Sequence, residues 1–217
     1  MDWNLAERRL YLCTPDRPDL ADFVTLCVRG GVDIVQLREK SLDDRSILRR
    51  AVLLKELCSE LGVPFILNDR PDLALAAGAD GVHVGQDDLP VAVARKIVGK
   101  DAIVGLSTHC DGDLEAALDQ PVDYISAGPI VATPTKPGRS GTGTAYAVHA
   151  SQVADVPVFV TGGVSADRVG ELFALGITHF VSVRSLTESD NPFEEARKMR
   201  DAIEASIATS QANALRE

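Results

Sequence analysis

The chain has 217 residues, 45% hydrophobic and 25% charged, with 22 Lys and Arg against 32 Asp and Glu for a formal charge of −10. At roughly 150 residues per domain the length allows one or two domains, including a single large α/β domain, and the composition is that of a globular rather than a disordered chain. The acid surplus argues against a protein that coats nucleic acid or an anionic membrane surface, because both need Lys and Arg in excess; read naively, it disfavours anionic small molecules too.

The start, Met1-Asp2-Trp3-Asn4, lacks a basic segment followed by an apolar run, so no secretory signal is expected. No run of 18 apolar residues is present, and a soluble, cytoplasmic protein is expected. Cys13, Cys27, Cys58 and Cys110 show no C-x-x-C spacing and read as reduced thiols.

Short β-branched runs occur at 10–14, 32–37, 64–68, 81–84, 102–106, 122–126, 156–160 and 178–183, and amphipathic stretches such as 42–61 and 90–98 lie between them. Glycines punctuate the units at Gly30-Gly31, Gly62, Gly78, Gly99 and Gly176, where helix C-caps are expected. The phrase Arg29-Gly30-Gly31-Val32-Asp33 is echoed by Ala77-Gly78-Ala79-Asp80-Gly81 and more weakly by Leu175-Gly176-Ile177-Thr178. Strands that alternate with helices imply a parallel sheet. Eight such units in this length predict a single (β/α)8 TIM barrel over residues 1–217, with an open doubly wound sheet as the competitor. The polar, Ala-rich tail from about Ala205 is expected to fray.

A barrel carries its site at the carboxyl ends of its strands. The second predicted strand ends in Gln36, Arg38 and Lys40 on alternate positions, hence on one side. The third ends in Asn68-Asp69-Arg70 and the fourth in His83-Val84-Gly85-Gln86-Asp87-Asp88. Asp69 and Asp88 on adjacent strand ends suit Mg²⁺, which takes one or two carboxylates and fills its octahedron with water and phosphate oxygens; they also suit helix N-caps, and spacing alone does not choose. His83 lies within a strand with no second histidine at ligand spacing, so it reads as a hydrogen-bonded core residue and zinc is not expected. Ser107-Thr108-His109 closes the fifth strand. Residues 128–144 form a long βα segment with Lys136, Arg139, five hydroxyls and no acid, chemistry suited to polyphosphate, although the Walker A pattern is absent. Gly162-Gly163 after strand seven and Val183-Arg184-Ser185 after strand eight occupy the usual barrel phosphate position.

These strand ends, with Gly81-Val82-His83-Val84-Gly85-Gln86-Asp87-Asp88-Leu89-Pro90, Gly105-Leu106-Ser107-Thr108-His109, Asp123-Tyr124 with Gly128-Pro129, Thr133-Pro134-Thr135-Lys136 and Gly162-Gly163-Val164, resemble the thiamine-phosphate synthase family from about Leu10 to Lys198. The resemblance implies that aminomethylpyrimidine diphosphate and hydroxyethylthiazole phosphate join to give thiamine phosphate and pyrophosphate, with Mg²⁺ as cofactor. It implies Asp69 and Asp88 as metal ligands, and Arg38, Lys40, Asn68, Thr133, Thr135 and Lys136 around the pyrophosphate. Gln36 and Ser107 would face the pyrimidine and its leaving group, while Gly163, Val183 and Arg184 would bound the thiazole phosphate. Lys136, Arg38 and Ser107 would be the catalytic set. Two departures stand out: Arg184 occupies the position of a family serine, and His179 replaces a customary small residue entering strand eight. The rivals are a thiazole tautomerase relative, which needs no pyrophosphate clamp, and a non-catalytic sensor of thiamine phosphates. Two phosphorylated small molecules are the expected partners, without nucleic acid or membrane, and a homo-oligomer is compatible with the sequence.

Overall fold

Helix ends set the rhythm of the chain. Helix α1 (Leu20–Gly30) buries Leu20, Phe23, Val24 and Cys27, a stripe on one face, and stops where Gly31 turns left-handed at φ 119° and returns its N–H to Cys27 and Val28. Helix α2 (Asp44–Leu61) starts where the Asp43 side chain accepts the Ser46 N–H at 3.0 Å and ends at Gly62 in the same manner. Helix α3 (Pro71–Ala77) ends likewise at Gly78. Each turn feeds a strand: β2 (Ile34–Leu37), β3 (Phe65–Asn68) and β4 (Gly81–Val84). The computed structural model describes residues 3–132 and 140–214.

The remaining strands are β1 (Leu10–Thr14), β5 (Ile103–Thr108), β6 (Tyr124–Ala127), β7 (Val158–Val160) and β8 (His179–Ser182). Every strand pairs in parallel with its neighbour in sequence, and β1 pairs with β8 to close the barrel. Helices α4 (Val91–Val98), α5 (Asp111–Leu118), α6 (Thr144–Val153) and α7 (Ala166–Ala174) follow β4 to β7. A short α8 (Arg184–Thr187) and the long α9 (Pro192–Ala214) follow β8. The chain therefore folds as a (β/α)8 barrel, as the alternating units predicted. Strand ends differ by a residue or two. Strand β5 runs on through Ser107 and Thr108, whose backbones pair with Ser126 and Ala127, and β8 stops before Val183. Beyond the expected elements, a 3₁₀ turn at Leu5–Glu7 buries Leu5 in the barrel interior.

Two apolar layers result. Between strands and helices lie residues such as Leu10, Leu12, Val35, Leu37, Phe65 and Leu67. Inside the barrel lie Tyr11, Ile34, Ile66, Ile103, Tyr124, Phe159 and Val181, the alternate positions of the same strands. Further along those strands the inward positions turn polar, at Gln36, Asn68, His83, Ser107 and Ser126, all buried. Burial of so many polar groups at one end of a barrel is costly unless they pair with each other or a ligand.

The opposite end is tied by a repeated aspartate. Asp33, before β2, donates its N–H to the Leu10 carbonyl and accepts the Leu10 N–H at 3.0 Å, while Arg200 of α9 reaches the same carboxylate. Asp80, before β4, does the same to Phe65 with Lys55 of α2 as its cation. Asp123, before β6, does the same to Val104 with Arg95 of α4. The sequence echo that placed Asp33 and Asp80 after glycine turns thus marks a strand clamp, and Asp123 is a third case without the glycine. Thr178 takes the equivalent place before β8, where Arg9 meets its hydroxyl.

Where the tail was expected to fray from about Ala205, α9 continues to Ala214, because Ala-rich sequence favours helix even without burial. Its last buried residue is Ile203, and 208–214 are all exposed. Among the described residues no helix is long and apolar enough to cross a membrane.

Candidate active site

A cavity of about 390 Å³ opens at the carboxyl ends of the strands. Gln36, Arg38, Lys40, Asn68, Asp69, Asp88, Ser107, Gly163, Val183 and Arg184 all line it. Thr133, Thr135, Lys136 and Arg139 lie outside the described residues. The segment's two described flanks meet beside the cavity: Thr142 donates its N–H to Pro129 at 2.8 Å and Gly143 to Ile130 at 3.2 Å, with Ile130 bonded to Thr161 at the end of β7.

The acidic side of the cavity follows from β3 and β4. Asp69 adopts φ 64°, and its N–H bonds the His83 carbonyl at 2.7 Å, which turns the side chain out of the strand path. Lys40 pairs with it at 2.8 Å. Burial raises the Asp69 carboxyl above its ordinary range, with Lys40 opposing the shift and the adjoining Asp88 carboxyl adding to it. Asp88 itself accepts the Gly85 N–H at 2.7 Å. Neither acid caps a helix: the N-cap residue of α3 is Arg70 and that of α4 is Pro90, both without a side-chain cap. Arg70, next to Asp69, turns away to Asp44 and Asp72. Two neighbouring carboxylates, one disfavoured as an anion and paired with Lys40, form a hard-oxygen donor pair that a small dication would satisfy.

Across the barrel, four strands away, Gly162 and Gly163 are both left-handed, at φ 91° and 73°. A Cβ on Gly163 would meet Val131 Cγ2 at 2.5 Å and the Arg168 guanidinium at 3.1 Å. Arg168 holds the Gly163 carbonyl at 2.9 Å, and Ser185 of α8 donates to the Val164 carbonyl at 3.0 Å, so both phosphate-type loops are tied together. The floor is a buried polar chain. Cys13 and Tyr11 flank Gln36, Tyr11 meets Tyr124, Tyr124 meets His83, and His83 meets Ser107.

Sequence reasoning gave no site role to Tyr11 and Cys13 at the floor, and it met Tyr124 at the floor and His109 at the rim, where its Nδ1 faces the Gly128 carbonyl, only as members of family motifs. Tyr11 and Cys13 occupy the same inward phase of β1 that Gln36 occupies on β2, since Cys13 pairs with Gln36 in register. That phase was the available signal.

The family model described as thiamine monophosphate synthase matches residues 10–186, a span that contains every strand and both sides of this cavity. The chain belongs to the thiamine monophosphate synthase family. A thiamine-phosphate synthase of Acidothermus cellulolyticus is 41% identical over 210 residues, 94% of this chain and 99% of that protein. One of Nostoc punctiforme is 41% identical over 184 residues, 85% of this chain but 52% of that protein, so the chain spans about half of the longer relative. Among solved structures, thiamine phosphate pyrophosphorylase from Pyrococcus furiosus has a TM-score of 0.84 at 26% identity and covers 91% of this chain and 96% of that one. Within a barrel of the thiamine monophosphate synthase family, Arg184 lies exposed at the rim and lines the cavity from the first residue of α8.

Proposed function

We propose that the chain is a cytoplasmic, Mg²⁺-dependent thiamine-phosphate synthase that joins aminomethylpyrimidine diphosphate to hydroxyethylthiazole phosphate and releases pyrophosphate. The observation that carries this reading is a single cavity with two anion-handling sides. Arg38, Lys40, Asp69 and Asp88 lie on one side, and the left-handed Gly162-Gly163 backbone lies three or four strands away on the other. Two phosphorylated substrates need two such sides and a floor between them where their rings meet.

Asp69 and Asp88 would hold the Mg²⁺, which when bound supplies positive charge to the diphosphate oxygens. Arg38 and Lys40 add fixed cations beside the same group, and Lys136 is assigned there too on the family pattern. Bond breaking joins negative charge to the leaving pyrophosphate and positive charge to the pyrimidine methylene carbon, which the aminopyrimidine ring delocalises, so the displacement is dissociative. The thiazole nitrogen attacks with its own lone pair and needs no general base. The chain's task is therefore to align two rings and stabilise a leaving anion by preorganised donors. On the other side, N–H groups around Gly163 receive the thiazole phosphate because no Cβ blocks the backbone there.

The reading is tested by incubating the purified chain with both phosphorylated substrates. Thiamine phosphate and pyrophosphate should form in equal amounts with Mg²⁺, stop with a chelator and resume when Mg²⁺ is restored. Tautomerisation of the thiazole phosphate alone, or binding without product, would overturn it.

A further inference from the structure

The buried chain at the cavity floor carries a direction. Gln36 Oε1 accepts from the Cys13 thiol at 3.2 Å, so its Nε2 donates to the Tyr11 oxygen at 2.8 Å. A phenol that accepts from an amide has one proton of its own to place, and Tyr11 meets the Tyr124 oxygen at 2.8 Å. Tyr124, accepting from Tyr11, donates in turn to His83 Nδ1 at 2.8 Å. The imidazole must then carry its proton on Nε2, which donates to Ser107 Oγ at 2.8 Å. Ser107 accepts from the histidine and its own hydroxyl hydrogen is left for the cavity that it lines. The reverse order would leave Tyr11 accepting from both Gln36 and Tyr124, with its own proton turned to the cavity that it lines, and would put the His83 proton on Nδ1.

We propose that Tyr11, Tyr124 and His83 are positioning residues that fix Ser107 as a hydrogen-bond donor toward the oxygen of the leaving pyrophosphate. The proposal rests on the function proposed above. The fold invests in this arrangement. Tyr124 lies stacked on His83, with ring centroids 5.5 Å apart and planes at 24°. The strand residue beside it in register is Gly105, where a Cβ would land on the Tyr124 ring. Tyr11 and Phe159 close on Tyr124 edge-on at 5.8 and 5.5 Å. Burial pushes both phenols well above their ordinary range, so each keeps its proton across working pH. A polar chain held this way presents its terminal donor without reorganisation at the moment charge develops on the leaving oxygen.

Two measurements on the full chain test it. In ¹⁵N-histidine-labelled protein, with the His83 signals assigned by their loss in His83→Gln, the wild type should show a protonated Nε2 and an unprotonated Nδ1. In steady-state coupling with Mg²⁺, Tyr124→Phe and Tyr11→Phe should each lower kcat about tenfold or more, with KM for the pyrimidine diphosphate within about threefold. Tyr124→Phe placed on Ser107→Ala should change kcat by less than about twofold, because the donor it orders is already gone. A protonated Nδ1 in the wild type, or a Tyr124→Phe effect of full size on the Ser107→Ala background, would overturn the proposal. If the wild type produces no thiamine phosphate, the assigned activity fails, and the tautomer then decides separately whether the proton order exists.

Discussion

Asp69 shows how one residue can be read for charge alone. It is the one non-glycine with positive φ among the described residues, a conformation that Asp and Asn tolerate better than other side chains. Asp69→Asn therefore keeps the backbone and removes the anion. Turnover should fall by about two orders of magnitude or more, with the thermal midpoint unchanged within a few degrees; near-normal turnover would remove Asp69 from the metal site. Gly163 permits the complementary experiment on the far side of the cavity. An alanine at φ 73° meets Val131 and Arg168 and carries about 1–2 kcal/mol of left-handed strain. The loop would relieve that strain by moving the N–H groups assigned to the thiazole phosphate. KM for that substrate should rise about tenfold in Gly163→Ala, while KM for the pyrimidine diphosphate stays put.

At the scale of the element, the two ends of each strand do different work. The carboxyl ends hold the cavity, and the amino ends hold the barrel closed through Asp33, Asp80 and Asp123. Replacing Asp80 by Ala strips Phe65 N–H, Trp3 Nε1 and Lys55 of a charged acceptor that is only 12% exposed. Urea unfolding of Asp80→Ala should show a loss of about 2–3 kcal/mol. Asp123→Ala, at 41% exposure, should lose less. An equal loss at both sites would show that burial does not set the strength of the clamp. The strand ends were legible in the sequence because side chains alternate with period two, so Gln36, Arg38 and Lys40 could be put on one side before any coordinates. The clamps were visible only as an echo of turn residues, since their partners are backbone groups of the preceding strand. Tyr11 escaped notice because an aromatic residue in an apolar strand reads as core, and it is core at its ring and polar network at its hydroxyl. That Asp69 and Asp88 do not cap helices needed the helix starts themselves, which fall two and three residues beyond the acids.

For the whole molecule, the formal charge of −10 describes the outer surface and not the cavity, where Arg38, Lys40 and Arg184 gather at one mouth. The response to pH is set most strongly where titratable groups are buried. His179 is such a group. Burial, followed by the nearby Arg9 guanidinium, lowers its pKa to about 4, against the backbone carbonyl of Ala6, which raises it. The neighbouring charges on this end are Arg9, Glu7, Asp33 and Arg200. Because the folded pKa lies below the unfolded value near 6.5, the unfolded chain binds the extra proton. Stability should thus be intact above pH 6.5 and fall as pH drops toward 4, by up to about 1.4 kcal/mol per unit. Urea midpoints should decline over that window in the wild type and decline less steeply in His179→Ala; equal slopes would place the acid sensitivity elsewhere. The central claim concerns the cavity and not the stability of its frame. It is tested most directly by supplying the purified chain with both phosphorylated substrates and Mg²⁺ and following thiamine phosphate and pyrophosphate together. The account predicts stoichiometric release of both, dependent on Mg²⁺ and on Asp69; tautomerised thiazole phosphate alone, or tight binding with no product, would contradict it.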